Sequence, residues 1–260
     1  MGATYSKAKN INFITYNCQI RFFSIYKSNR LLNYILNLKE NNVVICLQGL
    51  YDKKTIKYLE NNLLNINFIK TEKGLITLSS YDISNPVEII FDIDESYKKM
   101  FNSNKGFLSV DISINNKLLS IYNIELQEEI DSNFSINEIR CNQIKQLLFY
   151  IFERKKIETE NKLHIILGAL YLNKIEENNF FDLMDNFKKN IITNIDNNTK
   201  EDFILLFTDS KKDSKYITKF MHDSYNIKVI DVDIRTEMNF SKNLPCELLF
   251  KIDNKNNPKN

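Results

Sequence analysis

The chain has 260 residues, 43% of them hydrophobic and 26% charged, which is enough apolar material for a buried core and excludes a disordered polymer. Its 35 basic and 33 acidic side chains leave a net charge of +2, too weak a field to gather nucleic acid over the whole surface. Five glycines, three prolines and no tryptophan exclude collagen-like, Gly-linker and Pro-rich chains.

The opening residues, Met1-Gly2-Ala3-Thr4-Tyr5-Ser6-Lys7, fit the N-myristoylation pattern. Removal of Met1 leaves Gly2 with a free amine, Ser6 stands where the acyl-transferase prefers Ser or Thr, and Lys7 and Lys9 add positive charge. The alternative is an unmodified tail. One acyl chain gives only reversible attachment, and two lysines add about 1 kcal/mol each near an anionic leaflet. The expectation is a lipid-anchored, peripheral protein on the cytoplasmic face of a membrane, whose stable attachment needs a protein partner or a further basic surface. No apolar run reaches the roughly 20 residues of a transmembrane helix.

Beyond this segment, Ile11–Tyr16 reads as a strand. Asn29–Glu40 reads as a helix with Leu31, Leu32, Ile35, Leu36 and Leu38 on or near one face. Val43–Leu47 is a buried strand, and a helix follows near Lys53–Leu64. Asn67–Lys70, Leu75–Ser79 and Glu88–Asp92 are strand candidates. Phe107–Ile114 alternates with period two and pairs with Leu118–Asn123 across Asn115-Asn116. Ser135-Ile136-Asn137-Glu138 is a capping box that opens a long helix with Ile136, Ile139, Gln143, Leu147 and Ile151 along one face. Leu163–Leu167 is another buried strand, Asn179–Lys189 a short helix, and Phe203–Phe207, Lys228–Val232 and Cys246–Ile252 complete the strands. The reading is one α/β domain over residues 10–252, two packed sheets flanked by helices, after an N-terminal segment 1–9 and before a frayed tail 253–260.

Cys18, Cys46, Cys141 and Cys246 are far apart, with no CxxC or Cys/His pair, so a zinc site is disfavoured. With no signal peptide apparent, reduced thiols in an intracellular compartment are expected. Cys46 and Cys246 read as buried structural residues. His164 and His222, the two histidines, read as structural or surface residues.

Several short segments carry more information by their order. They are Thr15-Tyr16-Asn17, Val44-Ile45-Cys46-Leu47-Gln48-Gly49, Lys73-Gly74-Leu75-Ile76-Thr77-Leu78, Lys105-Gly106-Phe107-Leu108, Ile121-Tyr122-Asn123-Ile124-Glu125-Leu126-Gln127, Arg140-Cys141-Asn142-Gln143, Ile165-Ile166-Leu167-Gly168-Ala169-Leu170-Tyr171, Asp202-Phe203-Ile204 and Ser241-Lys242-Asn243-Leu244-Pro245. The series, from about Asn10 to Ile252, resembles the endonuclease/exonuclease/phosphatase superfamily, and most of all its neutral sphingomyelinase branch. The resemblance implies a four-layer sandwich of two sheets and flanking helices. It also implies Mg²⁺-dependent hydrolysis of phosphoesters, the metal stabilising phosphate charge and an Asp/His pair activating water.

Position by position, the resemblance implies lost chemistry. Asn17 matches the first-strand Asn. Gly49 stands where the family has its metal-binding Glu, and Ile124-Glu125 stands where it has Thr-His. Ala169 and Tyr171 replace an Asp and an Asn beside the phosphate, and Lys242-Asn243 replaces the closing Asp-His. Hard Mg²⁺ needs oxygen ligands, usually including carboxylate, and Gly49 and Ala169 offer no side-chain oxygen. Scaffold positions Gly74, Gly106, Arg140, Gln143, Gly168 and Pro245 keep the pattern. Hence the expected catalytic residues, metal and cofactor are none. Two readings stand for Lys242 and Glu125: an ion pair in place of the metal, or two solvated surface charges.

The leading functional expectation is a catalytically inactive, membrane-tethered pseudoenzyme that acts as a scaffold or binding module. One alternative is a divergent Mg-dependent phosphodiesterase of sphingomyelinase or phosphatase type using Glu125, Asp202 or Asp209. Another is a non-hydrolysing binder of anionic lipid headgroups through Lys242, Asn243 and Asn17. Nucleic acid is disfavoured, because no basic stripe interleaved with aromatics appears.

Overall fold

The computed structural model describes residues 10–38, 42–94, 97, 105–114, 117–128, 136–157 and 163–171, together with three later strands as backbone pairing. In chain order the elements are β1 (Asn10–Ile20), α1 (Ile25–Leu38), β2 (Val43–Leu50), α2 (Lys53–Asn62), β3 (Asn67–Lys70), β4 (Ile76–Ser79), β5 (Ile83–Ile90), β6 (Gly106–Ile114), β7 (Lys117–Glu125), α3 (Asn137–Ile157), β8 (Leu163–Ala169), β9 (Phe203–Thr208), β10 (Asn226–Ile234) and β11 (Cys246–Asp253). The described strands make two sheets, one ordered β10-β11-β1-β2-β4-β3 and the other β5-β6-β7-β8-β9.

Strand alternation explains the layers. In β1, Ile11 and Phe13 face the other sheet, while Ile14, Tyr16, Cys18 and Ile20 face α1 and α2. Val44 and Cys46 of β2 join the inner cluster, where they meet Val110, Ile112, Ile121 and Leu167 of the second sheet. The opposite face of the second sheet packs Phe107, Tyr122, Ile124 and Ile166 against Ile144, Leu147, Leu148 and Ile151 of α3. Helix, sheet, sheet and helix thus form the expected α/β sandwich. No helix among the described residues is long and apolar enough to cross a membrane.

Several boundaries move. α1 begins four residues before the expected Asn29, because Ser24 caps it: its Oγ accepts from Lys27 N at 3.5 Å and its carbonyl from Ser28 N at 2.9 Å. The added turn carries Ile25 and Tyr26 outward, which broke the apolar-face signal. β5 begins at Ile83 rather than Glu88, despite Pro86. It is the outermost strand, and its register shifts between Ser84 and Val87, so the missing N–H costs no ladder bond in the sheet interior. α2 starts on Asp52, whose carboxylate accepts from Thr55 N at 2.7 Å. The expected β6–β7 hairpin is present, and the face of α3 read from Ile136 to Ile151 is buried. The expected helix Asn179–Lys189, the Ser135 cap and the segments 1–9 and 254–260 lie outside the described residues.

Candidate functional site

Two parallel pairings gather the altered positions. β1 runs beside β2 with Asn17 opposite Gln48, and β7 runs beside β8 with Glu125 opposite Ala169. Asn17, Gly49, Glu125, Ala169 and Tyr171 therefore collect at the C-terminal ends of these strands, where sandwich and α/β folds place their ligands. The inward-facing side chains change character along the strands. Ile11 and Phe13 give way to Thr15 and Asn17, Val44 and Cys46 to Gln48, and Leu119 and Ile121 to Asn123 and Glu125.

The two sheets are joined across this polar end. Gln48 Nε2 donates to Asn123 Oδ1 at 2.8 Å and to Thr15 Oγ1 at 3.0 Å. Asn123 Nδ2 donates to the carbonyls of Ile76 at 2.9 Å and Leu47 at 3.2 Å. Both amides are fully buried, so these bonds offset a desolvation penalty that would otherwise oppose folding.

Beyond this layer lies a closed charged cluster. Lys105 Nζ donates to Glu125 Oε1 at 2.5 Å and to Tyr51 Oη at 2.8 Å. Tyr51 Oη donates to Glu125 Oε2 at 3.0 Å, and Tyr171 Oη donates to Oε1 at 3.4 Å. Asn17 Nδ2 donates to Tyr171 Oη at 2.5 Å. Lys105 is 8% exposed and Glu125 3%. Burial, and then the charge of Glu125, hold the Tyr51 and Tyr171 phenols well above their ordinary range, so both remain neutral donors.

Backbone conformation makes room for the cluster. Gly74, at φ +78°, lies so close to the Tyr51 ring that a Cβ there would stand 2.9 Å from two ring carbons. Gly49, at φ +67°, is packed on β1: a Cβ would lie 2.7 Å from Asn17 Oδ1 and 2.9 Å from Gln19 N. Tyr171 itself adopts φ +53°, a conformation uncommon outside glycine, and its hydroxyl is tied at both Asn17 and Glu125.

The described residues do not fit the Mg²⁺ that the resemblance implies. Gly49 and Ala169 supply no side-chain oxygen, and the ammonium of Lys105 sits on the Glu125 carboxylate. A cation at that place repels a second one. Among the described residues, no group of three or more His, Cys, Asp or Glu side chains is placed to hold a metal ion.

Among the described residues, the ammonium paired with Glu125 is that of Lys105. Lys242, Asn243, Asp202, Asp209, His222 and Gly2 lie outside the described residues. His164 is buried on the other face of β8, with Nδ1 3.0 Å from Tyr122 Oη. Arg140 and Gln143 pin the chain leaving Glu125: Arg140 Nε donates to the Gln127 carbonyl at 2.7 Å, and Gln127 N donates to Gln143 Oε1 at 3.0 Å. In the sequence Lys105 stands out only as part of the Lys105-Gly106-Phe107-Leu108 segment, and Tyr51 does not stand out at all. The available signal was a lysine directly before a buried strand, in a hairpin whose register sets Gly106 opposite Glu125.

No protein-family model and no curated protein matches this sequence. Solved structures do match. SmcL superposes with a TM-score of 0.60 at 18% identity, over 94% of this chain and 99% of that one. Sphingomyelinase C from Streptomyces griseocarneus gives a TM-score of 0.54 at 11% identity, over 94% and 99% of the two chains. An endonuclease/exonuclease/phosphatase protein from Beutenbergia cavernae gives 0.59 at 10% identity, over 94% of this chain and 72% of that one. The chain therefore has the endonuclease/exonuclease/phosphatase fold, with a sphingomyelinase among its structural neighbours.

Proposed function

We propose that this chain is a pseudoenzyme on a phosphodiesterase fold: a catalytically inactive scaffold or binding module, myristoylated at Gly2 and tethered to the cytoplasmic face of a membrane. The single observation that supports inactivity is the Lys105–Glu125 pair. It places an internal ammonium on the Glu125 carboxylate, while Gly49 and Ala169 offer no side-chain oxygen where the resemblance implies a metal-binding Glu and an Asp beside the phosphate. Where groups act as a unit, losing one already removes most of the rate, and here more than one is replaced. The tether rests on the Met1–Lys7 pattern.

The test is turnover of sphingomyelin, phosphoinositides and single-stranded DNA by the full chain with Mg²⁺ or Mn²⁺, expected to be absent. Hydrolysis that disappears in Glu125→Ala or Asp202→Ala would establish the divergent phosphodiesterase instead. For the tether, mass spectrometry of the N-terminal peptide from a eukaryotic host is expected to show the acyl group on Gly2 and none in Gly2→Ala.

A further inference from the structure

The segment joining β1 to α1 exposes four large apolar side chains in five residues. Phe22 is 84% exposed, Phe23 42%, Ile25 53% and Tyr26 63%. Apolar surface gathered in this way marks contact with something other than water. Exposed cations flank these side chains. Arg21 is exposed at the start of the tip, and Lys27 follows in the first turn of α1. α2 begins at the same end, because Ser28 Oγ lies 3.2 Å from Thr55 Oγ1 and Tyr58 Oη donates to Asn29 Oδ1. Its first turns add the exposed Lys53, Lys54 and Lys57. Arg30 Nη1 donates to Tyr26 Oη at 3.1 Å, and its guanidinium lies 5.6 Å from that ring's centroid. Carboxylates near this end are engaged: Asp52 caps α2, Glu128 accepts from Gln19 Nε2 at 3.4 Å, and Glu125 is paired with Lys105.

We infer that the Phe22–Tyr26 tip inserts into the interface of an anionic lipid bilayer, its apolar side chains entering between headgroups that the ring of Arg and Lys attracts. Aromatic side chains flanked by cations suit that layer, where one end of the group is apolar and the other wet. The tip begins two residues beyond Ile20, whose carbonyl accepts from Tyr51 N at 3.0 Å. Insertion at this tip deepens the membrane reading but uses none of the residues of the acyl tether.

The test uses the full chain carrying Gly2→Ala, so that acylation plays no part, with vesicles of phosphatidylcholine alone or with added phosphatidylserine. The protein is expected to sediment with the phosphatidylserine vesicles and to be released by salt. Phe22→Ser/Phe23→Ser is expected to weaken binding by at least about tenfold, and Lys53→Glu/Lys54→Glu by about fivefold or more per residue. All these positions are exposed, so an unchanged melting temperature verifies folding. The chain has no tryptophan, so Phe22→Trp is a unique reporter whose emission is expected to shift to the blue with phosphatidylserine vesicles. Absence of sedimentation by the unacylated chain, or sedimentation indifferent to Phe22→Ser/Phe23→Ser, overturns the inference and assigns the tip to a protein partner. Gly2-dependent sedimentation of the acylated chain would still stand in that case, so the two failures are separable.

Discussion

Lys105 and Glu125, twenty positions apart in sequence, place their charged atoms 2.5 Å from each other inside the sandwich. The β6–β7 hairpin makes the encounter, since Gly106 pairs with Glu125 and Lys105 directly precedes it. The ammonium also meets Tyr51 Oη, and the carboxylate meets the hydroxyls of Tyr51 and Tyr171. A buried ion pair survives desolvation only when its remaining hydrogen bonds are filled in this manner.

Removing one partner is therefore costly. Lys105→Met is expected to lower unfolding stability by about 3–5 kcal/mol, because a buried carboxylate loses its counter-charge. Lys105→Met combined with Glu125→Gln is expected to recover most of that loss. Urea denaturation of the two variants checks this. A double variant as unstable as the single one would show that packing of the lysine stem, and not charge, is what matters.

Placing at Gly49 the acid that the resemblance implies is expected to fail. Gly49→Glu and Gly49→Ala should each destabilise by about 1–3 kcal/mol, since both force a side chain into a left-handed conformation. Both also press a Cβ on Asn17 Oδ1 and on Gln19 N. Gly49→Glu is expected to gain no melting-temperature response to Mg²⁺ or EDTA, as linkage would require of a bound ion. Thermal scans with each additive give the answer.

The amide layer at Gln48 and Asn123 holds the sheets in register. Asn123→Leu takes the Nδ2 donor from the Ile76 and Leu47 carbonyls and one of three acceptors from Gln48 Nε2, which keeps Thr15 Oγ1 and the Cys46 carbonyl, and a buried group left short of a partner costs about 1–3 kcal/mol. Ser113→Ala, at an exposed position of β6, should change stability by no more than about 0.5 kcal/mol. Chemical denaturation of the pair measures the contrast.

Alkaline titration should find Tyr51 and Tyr171 late. Burial and Glu125 push both phenols up, so the folded state binds their protons more tightly than the unfolded state does. Their contribution to stability is complete below the ordinary phenol value of about 10 and declines as pH rises past it. Ultraviolet difference spectra are expected to show the two groups ionising only with unfolding. Tyr171→Phe should remove its part of this pH dependence.

Thiol chemistry should follow burial in the same way. Burial pushes the Cys46 thiol up to about 12, and burial with the charge of Glu125 raises Cys18 well above its usual value. Neither is expected to be labelled by iodoacetamide in the native protein near neutral pH, because the thiolate is the nucleophile. Peptide mapping by mass spectrometry reads the outcome.

Sequence alone determined the order of strands and helices, since runs such as Val43–Leu47 and the alternation in Phe107–Ile114 carry their period on their face. It also determined that the glycine at 49 and the alanine at 169 offer no side-chain oxygen in any fold. Tertiary structure decided the rest. Strand ends ran past the apolar signal, to Ile20 and Leu50, because backbone hydrogen bonds continue through polar residues such as Asn17 and Gln48. It turned Phe22 and Tyr26 outward, although their composition matches the core. Above all it chose the partner of Glu125, because which cation faces a buried carboxylate is set by hairpin register and sheet packing, and neither is written in the spacing of charges along the chain.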